Sequence, residues 1–165
     1  MSTRVIQFRH SSKDSWGAKS VDVSFSENVV DIELRLRQIS SIVRRRGRII
    51  LENYGITPPQ FDALVILNRD GDLTIGDLSN RLFLAYSTTT DLVDRLERAH
   101  FVARQRDTGD RRVVRVQLLT YGADLIERVL DARRAYLASV LETVSSEEKS
   151  RISQVLELLN AKMAD

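Results

Sequence analysis

Hydrophobic side chains recur at helical spacing along most of this chain and switch to strand spacing only once. After Ser26, a helix-capping residue type, Val29, Ile32, Leu36, Ile39 and Val43 return every three or four positions, which places one apolar stripe on a long helix. Gly55 ends that helix, as glycine does just past a last turn. Thr57 caps a second helix, with Pro58 at its first position, where a missing N–H costs nothing, and Phe61, Leu64, Val65 and Leu67 as its buried face. Asp70, Gly71 and Asp72 make a turn. Thr74, with Asp77 three residues on, opens a short helix whose Ile75, Leu78 and Leu82 point inward. Ser87 opens the next, with Leu92, Val93 and Leu96 inside. From Val102 the period becomes two: Val102, Arg104 and Arg106 alternate with Ala103 and Gln105, then Val114 and Val116 with Arg115 and Gln117. This predicts a two-stranded hairpin with its turn near Asp107 to Asp110. Thr120 caps a last long region striped by Leu125, Val129, Ala132, Tyr136, Val140 and Val144. Ser145 and Ser146, followed by Glu147 and Glu148, restart it, and Ile152, Val155, Leu156, Leu159 and Met163 carry it to the end.

Residues 1–24 are poor in apolar side chains and have no steady period, so they read as a disordered tail carrying an isolated Trp16. Residues 25–165 then form a single domain, mainly α with a small β-hairpin. Long helical regions, 25–55 and 120–165, flank a central lobe at 57–118. The two terminal stripes are broader than one copy can bury, and an intertwined homodimer is the economical solution.

Composition narrows the function. The chain has 165 residues and a formal net charge of only +2, so bulk charge does not announce a nucleic-acid partner. Of 25 basic residues, all but Lys13, Lys19, Lys149 and Lys162 are arginine, the side chain that makes bidentate contacts to phosphate and guanine. There is no cysteine, which excludes a disulfide framework, a thiol sensor and cysteine-bound metal. His10 and His100 have no ligand spacing, so no metal or cofactor is expected. No apolar run reaches the roughly 18 residues a membrane span needs, and the polar start lacks the core of a signal peptide. A cytoplasmic location is the default expectation. No phosphate-binding glycine loop, dinucleotide pattern or nucleophile beside a usable histidine is present, so an enzyme is not expected.

The order of the central elements carries the chemistry. A short amphipathic helix, a helix opening on hydroxyl side chains and a hairpin with an arginine-laden tip make a winged helix-turn-helix. That device lays one helix in the DNA major groove and a loop in the minor groove beside it. Short polar residues near the start of the inserted helix let it approach the bases: Ser87, Thr88 and Thr90 fit, and their hydroxyls can meet phosphates or base edges. Asp91 can accept from a cytosine N4 or repel phosphate. Arg95, one turn on, should meet the backbone or a guanine, whereas Asp94 and Arg98 read as an intrahelical pair. Arg111 and Arg112 at the hairpin tip suit a narrow minor groove, and Arg104, Arg106 and Arg115 can contact phosphates, although alternation puts Arg104 and Arg106 on one face. Asp110 can hold the loop through a salt bridge or serve as a simple turn residue. Arg44, Arg45, Arg46 and Arg48 read as a solvated helix face before an anion site. Tyr54, Tyr86, Tyr121 and Tyr136 suit either core packing or a ligand cleft.

These segments resemble the MarR family of bacterial transcriptional regulators. ITPPQFDALVIL is similar to its second-helix opening, TIGDLSNRL to its third helix, STTTDLVDRLERAHFVAR to its recognition helix and first wing strand, and DTGDRRVVRVQL to its wing. The likeness runs from about Asp31 to Met163. It implies a two-fold dimer held by the first and last helices, reading a pseudo-palindromic duplex, more often as a repressor than an activator. It also implies a small-molecule effector, often an anionic or lipophilic aromatic, bound between dimer region and DNA lobe. Arg112 becomes the minor-groove residue on this likeness. The chain departs from the pattern at Phe83 and His100, where the family usually has glycine, at Leu118-Leu119-Thr120, where the helix cap is shifted by one, and at Asp91. A reshaped turn is expected at Phe83, and a tolerated left-handed residue at His100. The competing reading is a winged-helix docking module that contacts proteins and reads no DNA, favoured by Asp91, Asp94 and the small net charge.

Overall fold

A computed structural model describes residues 25–107, 109–110 and 112–164. The tail, Trp16, Thr108 and Arg111 lie outside the described residues. The order is α1 (Glu27–Asn53), α2 (Pro58–Asp70), β1 (Leu73–Thr74), α3 (Ile75–Leu82), α4 (Tyr86–Arg98), β2 (Val102–Arg106), β3 (Val114–Leu118), α5 (Thr120–Val140) and α6 (Ser146–Ala164). The chain divides into two compact units, one ending at Arg46 and the other beginning at Gly47.

In the first unit the described part of α1 stands on local interactions. Arg35 pairs with Asp31 at 2.7 Å and Arg37 with Glu33 at 3.3 Å, each one turn apart on exposed faces. Its apolar stripe is uncovered: Val29, Ile32, Ile39 and Val43 are each about half exposed.

The second unit packs α2 to α5 and a small sheet around one core. The end of α1 stops at Gly55, which takes φ +66 while the Ile56 N–H reaches back to the Leu51 carbonyl at 3.2 Å. Thr57 donates its backbone N–H to Gln60 Oε1 at 2.9 Å, half of a capping box, before Pro58 begins α2. Ile50, Leu51, Ile56, Phe61, Leu64, Leu67, Leu78, Val93, Leu96, Val102, Val116, Leu125, Ile126 and Val129 form one core under α2, α3, α4 and the sheet. Val65, expected inside, is 37% exposed because it falls off the α2 stripe that faces α5.

The sheet has three strands, in the order β1-β3-β2, where the sequence suggested two. Leu73 and Thr74 pair with Val116 and Arg115, so the entry to α3 is stitched to the hairpin. The hairpin register pairs Val102 with Leu118 and Arg106 with Val114. The connecting loop runs from Asp107 to Val113, longer than expected, and is closed by the Asp107 N–H donating to the Val113 carbonyl at 2.9 Å.

Two helix starts sit one residue before expectation. α4 begins at Tyr86, after Ala85 as N-cap, where Ser87 was expected to open it, and Leu119, not Thr120, is the N-cap of α5; neither N-cap provides a side-chain cap. Packing sets the second start. Gly122 faces Phe101, whose carbonyl also accepts the Leu119 N–H at 3.0 Å, and a Cβ at Gly122 would lie 2.4 Å from the Phe101 oxygen. Ser145 and Glu148 cap α6 reciprocally, with Glu148 N–H to Ser145 Oγ at 3.2 Å and Ser145 N–H to Glu148 Oε2 at 3.1 Å, so the expected restart is present. No residue of α6 is buried, and Val155, Leu156, Leu158 and Met163 are more than half exposed.

The contact at Gly122 is with backbone, which cannot swing away. Gly122→Ala should therefore lower stability by about 2–3 kcal/mol, the upper part of the range for overpacking. Chemical denaturation checks this; an unchanged midpoint would show that α5 can shift off Phe101 freely.

Candidate nucleic-acid interface

The approach to the site begins at Thr74. Its hydroxyl oxygen accepts the Asp77 N–H at 3.1 Å and its hydroxyl donates to Asp77 Oδ2 at 2.6 Å, starting α3 where the sequence placed it. Asp70 at the end of α2 pairs with Arg69 at 2.7 Å and with Arg81 on α3. At the far end of α3, Phe83 takes φ 54 itself, so the glycine-type turn is kept rather than reshaped. His100 takes φ 58 after α4, as expected of a tolerated left-handed residue.

α4 has two faces. Thr89, Leu92, Val93 and Leu96 are buried. Ser87, Asp91 and Arg95, spaced by four, are exposed on one face, with Thr88 exposed beside them. Thr90 is half-buried and donates its hydroxyl to the Tyr86 carbonyl at 2.9 Å, so that hydrogen is already committed within the helix.

The hairpin separates the arginines into struts and free cations. Arg104, one of the candidate phosphate contacts, is turned onto α4: its NH2 reaches Asp94 Oδ1 and its NH1 reaches Glu97 Oε2, both at 2.5 Å, and its backbone N–H reaches Glu97 Oε1 at 2.9 Å. Burial works to lower the Arg104 pKa, but the bonds to Asp94 and Glu97 outweigh it and the group is held above its ordinary value. Asp94 therefore does not spend its carboxylate on Arg98, as the helical spacing suggested; Arg98 Nε bonds the Asp94 carbonyl at 3.1 Å instead. Arg115 is likewise occupied, with Nε 2.5 Å from Asp107 Oδ2 and NH1 3.4 Å from the Asp72 carbonyl. By contrast, no described residue pairs with the side chains of Arg95, Arg106 or Arg112, and all three are exposed. Arg111 lies outside the described residues.

Asp107, placed by the sequence only at the start of the hairpin turn, organises the wing. Its Oδ1 accepts the Gly109 N–H at 2.8 Å and the Asp110 N–H at 3.1 Å while Oδ2 holds Arg115. An aspartate two residues before a glycine is the signal that marks such a turn. Among the described residues the ion pair of the wing belongs to Asp107, not to Asp110. Asp110 instead accepts the Arg112 N–H at 2.9 Å and sets the backbone from which Arg112 projects. Among the described residues no group of three or more acidic or histidine side chains could hold a metal, and no helix is long and apolar enough to cross a membrane.

The lobe that carries these elements is similar to known proteins. Residues 56–114 match the MarR family model. The HTH-type transcriptional regulator YsmB of Bacillus subtilis is 48% identical over 122 residues, covering 74% of this chain and 84% of that one. This chain belongs to the MarR family. The HTH-type transcriptional repressor MdtR of Bacillus subtilis is 30% identical over 125 residues, covering 76% of this chain and 81% of its own. A MarR family protein from Bacillus stearothermophilus has a similar structure, with a TM-score of 0.75 at 49% identity over 84% of this chain and 96% of that one. The lobe is thus the winged helix of a DNA-binding transcription regulator, and not an enzyme.

The wing should respond to acid in a defined window. The Arg115 bond, then those from Gly109 and Asp110, hold the Asp107 pKa at about 2, below its ordinary 3.8. A carboxylate lowered on folding stabilises fully above its unfolded pKa and loses that effect as pH falls through the folded one. The Asp107 carboxyl, followed by NMR, should titrate near pH 2 and move up toward the ordinary value in Arg115→Gln; a midpoint that ignores Arg115 would remove this strut.

Proposed function

We infer that this chain acts as a cytoplasmic homodimer that reads a pseudo-palindromic operator, as a repressor whose DNA affinity is set by a small-molecule effector. Each copy lays α4 in a major groove, with half-sites about 10 bp apart on one face of the duplex. Ser87, Thr88, Thr90, Asp91 and Arg95 face the bases and the adjoining phosphates. Arg106 meets phosphate, and Arg112, with Arg111 beside it, enters the minor groove that flanks the helix. Arg104 and Arg115, with Asp110, hold the wing in place instead of touching the duplex.

The observation that carries this reading is the sorting of the arginines. A solvated or docking surface has no reason to tie Arg104 and Arg115 to carboxylates while leaving Arg95, Arg106 and Arg112 exposed on the reading helix and wing. Dimerisation is supported by the uncovered stripes of α1 and α6, which a second copy would bury. Response to an anionic effector is supported by Arg133 on α5. Its guanidinium lies 4.8 Å over the Phe61 ring, and its buried Nε has no hydrogen-bond partner among the described residues.

Arg112→Ala should weaken binding to a selected operator and reduce the slope of log affinity against log salt by about 1, because one phosphate-neutralising cation is lost. Preference for a narrow A·T-rich minor groove should fall with it. Titration at several salt concentrations checks this; unchanged affinity and slope would remove Arg112 from the interface. Failure of the parent protein to bind any genomic duplex would favour the docking module.

A further inference from the structure

Phe83 is more exposed than any other large hydrophobic residue among the described ones, at 94%, and it holds the left-handed φ of 54. Side chains with a Cβ disfavour that conformation, and an aromatic one has no local hydrogen bond to offset it. The turn around it is fixed: Phe83 N–H reaches the Asn80 carbonyl at 3.3 Å and Leu84 N–H the Ser79 carbonyl at 3.1 Å. Leu84 packs against the core and Phe83 is left outside. Nothing among the described residues repays an exposed ring at a strained position where glycine would be easier. Three residues on, Tyr86 begins α4 and is 62% exposed.

We propose that Phe83 is a DNA contact, laying its ring with that of Tyr86 on the sugar edge of the groove that receives α4. This rests on the reading of α4 as the helix that enters the major groove. A groove that takes the first turn of α4 must bring its rim against the residues immediately before that turn. The rim presents apolar deoxyribose faces, and thymine methyls lie just inside it, so an uncharged ring can be buried there without disturbing the phosphate contacts. The surroundings fit a duplex better than a protein partner. The exposed residues close to it in sequence, Asn80, Arg81, Ser87 and Thr88, are polar, so the apolar surface offered by Phe83 and Tyr86 is a fraction of the roughly 800 Å² per partner that a specific protein interface buries. The broad apolar stripes suited to a second copy are on α1 and α6.

The test uses the full chain and a duplex that it enriches from a random-sequence pool. Phe83→Gly should bind that duplex about five- to tenfold more weakly than the parent, the scale of a partly buried aromatic contact. Its melting temperature should be no lower, since glycine suits the turn, and its salt slope should be unchanged, since no cation is removed. Phe83→Tyr should retain parental affinity. Parental affinity in Phe83→Gly, with Thr88→Ala still weakening binding, would overturn the role of Phe83 and leave the reading of α4 standing. Loss of self-association in Phe83→Gly by sedimentation would also overturn it, in favour of a second copy. If the parent enriches no duplex, both fall together.

Discussion

The bonds from Arg104 to Asp94 and Glu97 are what make a reading head out of a helix and a hairpin. A two-stranded ribbon on its own is marginal and can swing about its base. Here a guanidinium from the middle of β2 takes two carboxylates from the second half of α4, and the same residue gives its backbone N–H to Glu97. The side chain of Arg104 is only 24% exposed, so solvent screens the contact less than it would a surface pair. With β2 fixed to α4, the wing tip has a set distance from Ser87 and Thr88, as a protein needs if it is to enter two adjacent grooves at once.

The other end of the hairpin is fastened by the same means. Asp107 collects Arg115 and two backbone N–H groups, and β1 pairs with β3 at Leu73 and Thr74. The start of α3, the start of the wing loop and the strand leading to α5 are thereby joined. Phe101 completes the frame, since its carbonyl holds Leu119 and lies against Gly122 while its ring stacks on Tyr121 at 5.1 Å. Cations needed for architecture are neutralised within the fold, and those left exposed are available to a polyanion.

Features that depend on a few neighbouring residues were legible in the sequence. Gly55, Thr57 before Pro58, Thr74 with Asp77, and the Ser145 restart each mark a helix boundary that three or four residues specify. The stripes of α1, α4 and α5 and the β2–β3 alternation followed from period alone. What could not be read depended on partners distant in the chain. β1 is two residues long and exists only because β3 lies beside it. The α5 start shifted because Leu119 and Gly122 answer to Phe101. The roles of Arg104 and Arg115 were equally hidden: alternation told which face each occupied, but not that Asp94, Glu97 and Asp107 were waiting there. Arg104 on that ground looked like Arg106, and only the packing of the hairpin on α4 distinguishes them.

Whether Arg104 is a strut or a contact can be measured directly. In Arg104→Met, the affinity for the selected duplex should fall because the wing loses its set position, while the slope of log affinity against log salt stays at the parental value. A slope smaller by about 1 would show that Arg104 itself neutralises a phosphate, and the division of the arginines into struts and free cations would be wrong.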